Sequence, residues 1–212
     1  MKTKKGDFIE IDYIAKIKDE NRIFDLTNEE TAKKEKIYNP NFSYKPLIIC
    51  LGENHVISGL DSALIDKEVG KEYLIDIQPE NGYGKKDARL IQLVSTNIFR
   101  KQNIKPMPGL QVQVDNLIGI IKTVTGGRTL IDFNHPLAGK VLEYKVNILG
   151  IVREDKNKIK AMLKIMLHKD IDFDFKESEL KIKENLPEGI KKIIDKEIKR
   201  LVPSVKGVSL SK

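Results

Sequence analysis

Leu51-Gly-Glu-Asn-His-Val-Ile-Ser-Gly-Leu-Asp-Ser-Ala-Leu64 joins a strand to a helix through a short loop. Just upstream, Leu47-Ile-Ile-Cys-Leu51 is a short apolar run closed by Gly52, which reads as a strand. Downstream, Ile57, Leu60, Ala63 and Leu64 recur at helical spacing, so residues 56–65 read as a short helix with one apolar face. Working toward the N-terminus, residues 27–46 form a long polar excursion with a helical-looking Asn-Glu-Glu-Thr-Ala-Lys-Lys-Glu-Lys. Before it, Phe8-Ile-Glu-Ile-Asp-Tyr-Ile-Ala-Lys-Ile17 alternates apolar and polar residues, the pattern of a strand with one buried face. A turn at Asp19-Glu-Asn-Arg22 then leads to Phe24-Asp25.

Toward the C-terminus, Glu72-Tyr-Leu-Ile-Asp-Ile-Gln78 reads as another strand, ended by Pro79. Glu80-Asn-Gly-Tyr-Gly84 follows, a turn that presents one tyrosine between two glycines. Residues 85–132 contain four short apolar segments punctuated by Gly and Pro, which implies a small β unit. In it, Ile98, Phe99, Ile104, Met107 and Leu110 lie near Pro106, Pro108 and Gly109 without strong polar cover. They suit either the unit's own core or a surface that captures unfolded chain. Lys140-Val-Leu-Glu-Tyr-Lys-Val-Asn-Ile-Leu149 is a long final strand.

After residue 154 the pattern changes. Ile159, Met162, Leu163, Met166 and Leu167 share one helical face. Phe173-Asp-Phe and Leu180-Lys-Ile flank a polar turn, which suggests a hairpin. Pro187 suits a helix first turn, and Ile190, Ile193, Ile194, Ile198 and Leu201 form the stripe that follows it. A module this small needs a partner surface, either the rest of the chain or a second copy of itself. A homodimer through this module is therefore an expectation.

Composition narrows the function classes. The chain has 212 residues, one cysteine and a formal net charge of +7. No apolar run approaches the roughly 20 residues that span a bilayer, so no membrane role is expected. No apolar segment follows the basic N-terminus, and a lone cysteine allows no internal disulfide, which points to the cytoplasm. The last 57 residues hold 15 Lys+Arg against 9 Asp+Glu, a net of +6. Because these lysines alternate with acids and lack an RNA-binding motif, nucleic acid is disfavoured as a partner. The three histidines, His55, His135 and His168, lie far apart in sequence, so no metal site and no cofactor are expected.

Four segments together resemble the FKBP family of peptidyl-prolyl cis-trans isomerases: Tyr13 in the first strand, Phe24-Asp25 after a turn, the 51–64 stretch with its Val56-Ile57 pair, and Val69-Gly-Lys-Glu with Tyr83-Gly84. Asp132-Phe-Asn-His-Pro-Leu-Ala-Gly139 resembles the return segment of the SlyD-like subgroup, in which a domain is inserted in the flap. The long 27–46 loop and the tail look like the long archaeal members. The resemblance implies an α+β architecture: a half-open antiparallel sheet wrapped on a short helix, with an inserted small β domain and a C-terminal α+β module. It implies an isomerase domain at 1–84 plus 133–153, an inserted chaperone-like domain at 85–132 and a C-terminal domain at 154–212.

Carried over residue by residue, the resemblance implies Tyr13, Asp25, Tyr83 and Tyr144 as catalytic groups. It implies Phe24, Leu47, Val56, Ile57, Leu60, His135 and Leu137 as the substrate-binding lining. Two positions depart from many members: Leu60 stands where Trp is common, and Tyr144 where Phe is common. The implied partners are unfolded or proline-containing polypeptides, with isomerase plus chaperone activity. A binding module that kept the shape without catalysis is the competing reading.

Overall fold

The computed structural model describes residues 1–210. The chain divides into two compact units, one made of Met1–Ile77 with Leu142–Lys212 and the other of Gln78–Val141. The C-terminal segment therefore lies within the first unit, and Tyr83, His135 and Leu137 belong to the second.

The first unit is built on a five-stranded antiparallel sheet. Its strands are β1 (Phe8–Ile17), β2 (Arg22–Leu26), β3 (Leu47–Cys50), β4 (Glu72–Ile77) and β9 (Leu142–Ile151). The order is β2-β1-β9-β4, and β3 pairs with β1. β2 and β3 share β1 end to end: β2 pairs with its residues 14–17, and β3 with residues 8–11. The chain between them leaves the sheet through α1 (Glu29–Lys34), capped by the Asn28 side chain, which accepts the Thr31 N–H. In β9, Leu142, Tyr144, Val146 and Ile148 are buried at every second position, as a strand covered on one face requires. The short helix α2 (Ser58–Ala63) buries Leu60, with Leu64 just after it, and packs beside β4.

The alternation in β1 has one exception with a physical cause. Ile9, Ile11, Ala15 and Ile17 are buried on the core side, yet Phe8, on the opposite face, is buried as well. The C-terminal module covers it. That module contains α4 (Asp155–Leu167), a hairpin of β10 (Phe173–Lys176) and β11 (Glu179–Ile182), α5 (Glu188–Leu201) and β12 (Gly207–Leu210), which pairs parallel to β11. Ile159, Met162 and Leu163 of α4 and Ile194 and Ile198 of α5 form one buried cluster with Phe8 and Cys50. The module thus packs on the sheet of its own chain. Arg200 reinforces the contact with a two-pronged pair to Glu53, at 2.9 and 2.5 Å. Pro187 is the cap of α5 rather than part of its first turn.

The second unit holds a four-stranded antiparallel sheet in the order β5-β8-β7-β6. The strands are β5 (Ile91–Ser95), β6 (Gln111–Val114), β7 (Leu117–Thr125) and β8 (Arg128–Asp132). A short helix, α3 (Asn97–Lys101), puts Phe99 into a core shared with Val112, Ile121 and Ile131. Gly119 permits close packing of this sheet, because a Cβ there would meet Ile131 and Phe133 at 2.6 Å.

Candidate functional site

The expected site residues divide between the units. In the first unit, β1 and β2 run side by side, with Ala15 opposite Asp25 and Ile14 opposite Leu26. The pairing places Tyr13 next to the end of β2, and its hydroxyl donates to Asp25 Oδ2 at 2.7 Å. Thr27 fixes this corner. Its hydroxyl accepts the Tyr13 N–H at 2.8 Å and hydrogen-bonds to Asp12, while its own N–H donates to the Tyr13 carbonyl. The pair β1–β9 puts Tyr144 opposite Ala15, so its ring stands on the same face as Tyr13. Tyr144 meets Tyr13 at 5.8 Å between centroids and takes Phe24 edge-on at 6.0 Å and 81°. These distances fit favourable tilted aromatic pairs. The structure thus brings Tyr13, Phe24, Asp25 and Tyr144 together.

Leu47, at the start of β3, borders a cavity of about 660 Å³ that also reaches Tyr13 and Asp25. Val56 and Ile57 are half-buried immediately before α2, where Ile57 is the cap, and Leu60 lies buried inside the helix. Asp61 is a residue that sequence reasoning missed. Its buried carboxylate accepts the Gly52 and Asn54 N–H groups at 2.8 and 2.9 Å, and so pins the loop that carries Val56 and Ile57. His55 accepts the Cys50 N–H on Nδ1, and burial holds its ring below the usual histidine pKa. Cys50 is fully buried, and burial pushes its thiol up to about 12, so it is no nucleophile.

In the second unit, Tyr83 lies flat on His135, with ring centroids 4.3 Å apart and planes 1° apart. The turn beneath it closes when the Gly84 N–H donates to the Pro79 carbonyl at 2.7 Å, with Gly84 at φ +79. The Gly84 carbonyl accepts the Gly139 N–H, and His135 Nδ1 accepts the Leu137 N–H at 3.2 Å. Leu137 is buried.

The same return segment owes its composition to a polar clamp. Asn134 exchanges hydrogen bonds with the Asp87 backbone at 2.8 and 3.0 Å, and its amide also reaches Asp132 at 2.8 Å. Lys86 Nζ binds Asp132 at 3.0 Å. Burial raises the cost of charge on Asp132, but the hydrogen bonds from Asn134 and Lys86 outweigh it and hold the carboxyl at about 2. The outgoing chain at 86–87 is thus tied to the returning chain at 132–134.

Comparison with known proteins agrees with this architecture. Residues 1–101 match the family described as FKBP-type peptidyl-prolyl cis-trans isomerase, and residues 92–137 match "FKBP26, IF domain". The "Short-type peptidyl-prolyl cis-trans isomerase" of Methanocaldococcus jannaschii is 37% identical over 148 residues, covering 70% of this chain and 93% of that protein. A SlyD of Haemophilus influenzae is 32% identical over 111 residues, 50% of this chain and 57% of that protein. The "FKBP-type 16 kDa peptidyl-prolyl cis-trans isomerase" of Escherichia coli is 26% identical over 111 residues, 50% of this chain and 74% of that protein. The chain belongs to the FKBP-type peptidyl-prolyl cis-trans isomerases and is an enzyme of that class. Within the family it is similar to the members named SlyD.

Among the described residues, no helix is long and apolar enough to cross a membrane.

Proposed function

We propose that the protein accelerates proline-limited folding of polypeptides in the cytoplasm, with Tyr13, Phe24, Asp25 and Tyr144 acting on the proline peptide bond and the inserted β unit holding unfolded chain. The observation that carries the catalytic part is the Tyr13–Asp25 hydrogen bond at 2.7 Å, set among the rings of Tyr144 and Phe24.

The chemistry asks for no nucleophile. Rotation about a peptide bond faces about 18–20 kcal/mol because the C–N bond is partly double. For X-Pro both isomers are populated and exchange is slow. Twisting localises the nitrogen lone pair and shrinks the amide dipole, so a dry aromatic environment favours the twisted state over the planar one. Only such differential binding accelerates the step, and an acceleration of about 10⁴ requires about 5.5 kcal/mol. Asp25 orients the Tyr13 hydroxyl and presents a carboxylate to the twisting carbonyl. Leu47, Val56, Ile57 and Leu60 serve as apolar walls.

The holding role is supported by the outer face of the inserted sheet. Leu93 pairs with Leu130, and Ile118 and Ile120 lie on that same face of β7, opposite the buried Ile121 and Ile131. Leu93 is 53% exposed and Ile118 60%. Leu93 also lies on an edge strand, where an extended chain can add by backbone hydrogen bonds.

The test is prolyl isomerisation of a tetrapeptide by the full-length protein. Asp25→Ala and Tyr13→Phe should each lower kcat/KM about tenfold, equivalent to about 1.4 kcal/mol of transition-state stabilisation, while the protein stays folded. Wild-type rates in both variants would remove this site.

A further inference from the structure

The excursion at 27–46 carries rings that catalysis leaves unused. Tyr38 stacks on Tyr44 at 5.4 Å and 24°, and Phe42 meets Tyr44 at 5.1 Å. The loop orders itself around them: Asn39 N–H donates to the Tyr44 hydroxyl at 2.9 Å, Phe42 N–H to the Asn39 carbonyl at 3.0 Å, and Ile37 N–H to the Ala32 carbonyl at 2.9 Å. Despite this order, Tyr38 remains 43% exposed and Phe42 50% exposed. A preorganised cluster of exposed rings is a recognition surface rather than a core.

Its position says for what. A concavity of about 220 Å³ lies between Phe24, Asp25 and Leu26 on β2 and Phe42 and Tyr44 on the loop. On the other side of Phe42, the cavity of about 660 Å³ runs from Tyr13, Asp25 and Leu47 to Ala161 and Ile165 of α4. Asp25, Leu26 and Phe42 border both. An extended chain held at Asp25 therefore has a track on which to continue, where Phe42, Leu47, Ala161 and Ile165 offer apolar contact among the charged Lys45, Lys160, Lys164 and Asp170.

We infer that the aromatic loop and α4 form a second substrate subsite, which binds the polypeptide flanking the proline and selects a bulky apolar side chain there. The inference rests on the reading of Asp25 as part of the isomerase site, because the occupant is the same polypeptide, continued. It gives the C-terminal module a part in substrate choice besides its packing on Phe8.

The experiment uses full-length protein and two series of proline peptides longer than a tetrapeptide. They share one X-Pro bond and differ by Phe or Leu against Gly at positions two to four residues away. The wild type should convert the apolar series with a kcat/KM roughly three- to tenfold higher, through a lower KM. Phe42→Ala, at an exposed position, should abolish that preference. Ala161→Arg, which fills the cavity from α4, should abolish it independently. Acceleration of both series without a preference, or a preference that survives both variants, overturns the subsite and leaves the isomerase site standing. No acceleration of either series overturns the isomerase site itself.

Discussion

The five-stranded and four-stranded sheets are both antiparallel, yet they differ in how much of the second face other elements cover. In the first, Ile9, Ile11, Ala15 and Ile17 are buried on one face of β1, and the C-terminal module covers Phe8 on the other. In the second, one face packs on Phe99, Val112, Ile121 and Ile131, while Leu93 and Ile118 on the other remain more than half exposed. The difference teaches that alternation alone does not tell how many faces a sheet buries. Covering by other elements decides it, and the inserted unit is too small to cover both of its faces. The first sheet is covered on its second face only around Phe8, and Leu74 on β4 stays 67% exposed, while its other face holds aromatic groups at fixed distances. A sheet with one face bare is suited to weak, sequence-tolerant binding of extended chain.

That comparison breaks first at the core of the insert. Phe99→Ala should cost about 3–5 kcal/mol and unfold the four-stranded sheet locally. Hydrogen exchange should show β5–β8 losing protection while β1 and β9 keep theirs. Joint loss in both sheets would mean that the two regions are one cooperative unit. The next effect lies at the clamp. Asp132→Ala should destabilise the insert by about 2–3 kcal/mol, because Lys86 and Asn134 lose a charged acceptor.

The pH dependence of the clamp has a definite sign. The carboxyl of Asp132 is lowered from 3.8 to about 2 in the folded chain, so its contribution is complete above pH about 4 and is lost as pH falls toward 2. An acid titration of insert stability should show that loss, about 2 kcal/mol, in the wild type and not in the alanine variant. The smallest effect on stability belongs to the bare face. Leu93→Ser with Ile118→Ser should change the unfolding free energy by about 0.5 kcal/mol per site, since both side chains are already more than half exposed. A large loss in urea unfolding would show that the face is structural.

Much of this was legible because strands and the short helix carry strong periodic signals. The 8–17 and 140–149 segments became the two long neighbours β1 and β9, and the 173–182 stretch became a hairpin. The pairing of Tyr13 with Asp25 was legible only through a family resemblance, because strand register is not written in the alternation itself. What stayed hidden depended on covering and on local polar detail. The burial of Phe8 was one such feature, since nothing in its neighbourhood announces that α4 and α5 will lie over it. Nor does the sequence signal that the Asp61 side chain ties down the preceding loop. The 27–46 segment read as polar because lysines and asparagines outnumber its rings. The signal was the concentration of Tyr38, Phe42 and Tyr44 within seven residues of a chain poor in aromatics. In the insert, α3 escaped notice because five residues are too few to show a helical period.

In the proposed division of labour, the aromatic site around Asp25 turns the proline bond and the bare face of the inserted sheet holds the chain. Proline-limited refolding of an unfolded protein, catalysed by wild type and by the combined Leu93→Ser and Ile118→Ser variant, tests it directly when a tetrapeptide assay is run beside it. Loss of the holding face removes a local-concentration advantage of roughly tenfold or more. Refolding catalysis should fall by that factor while the tetrapeptide rate stays within about twofold of wild type. An equal fall in both assays, or no fall in refolding, would contradict that division.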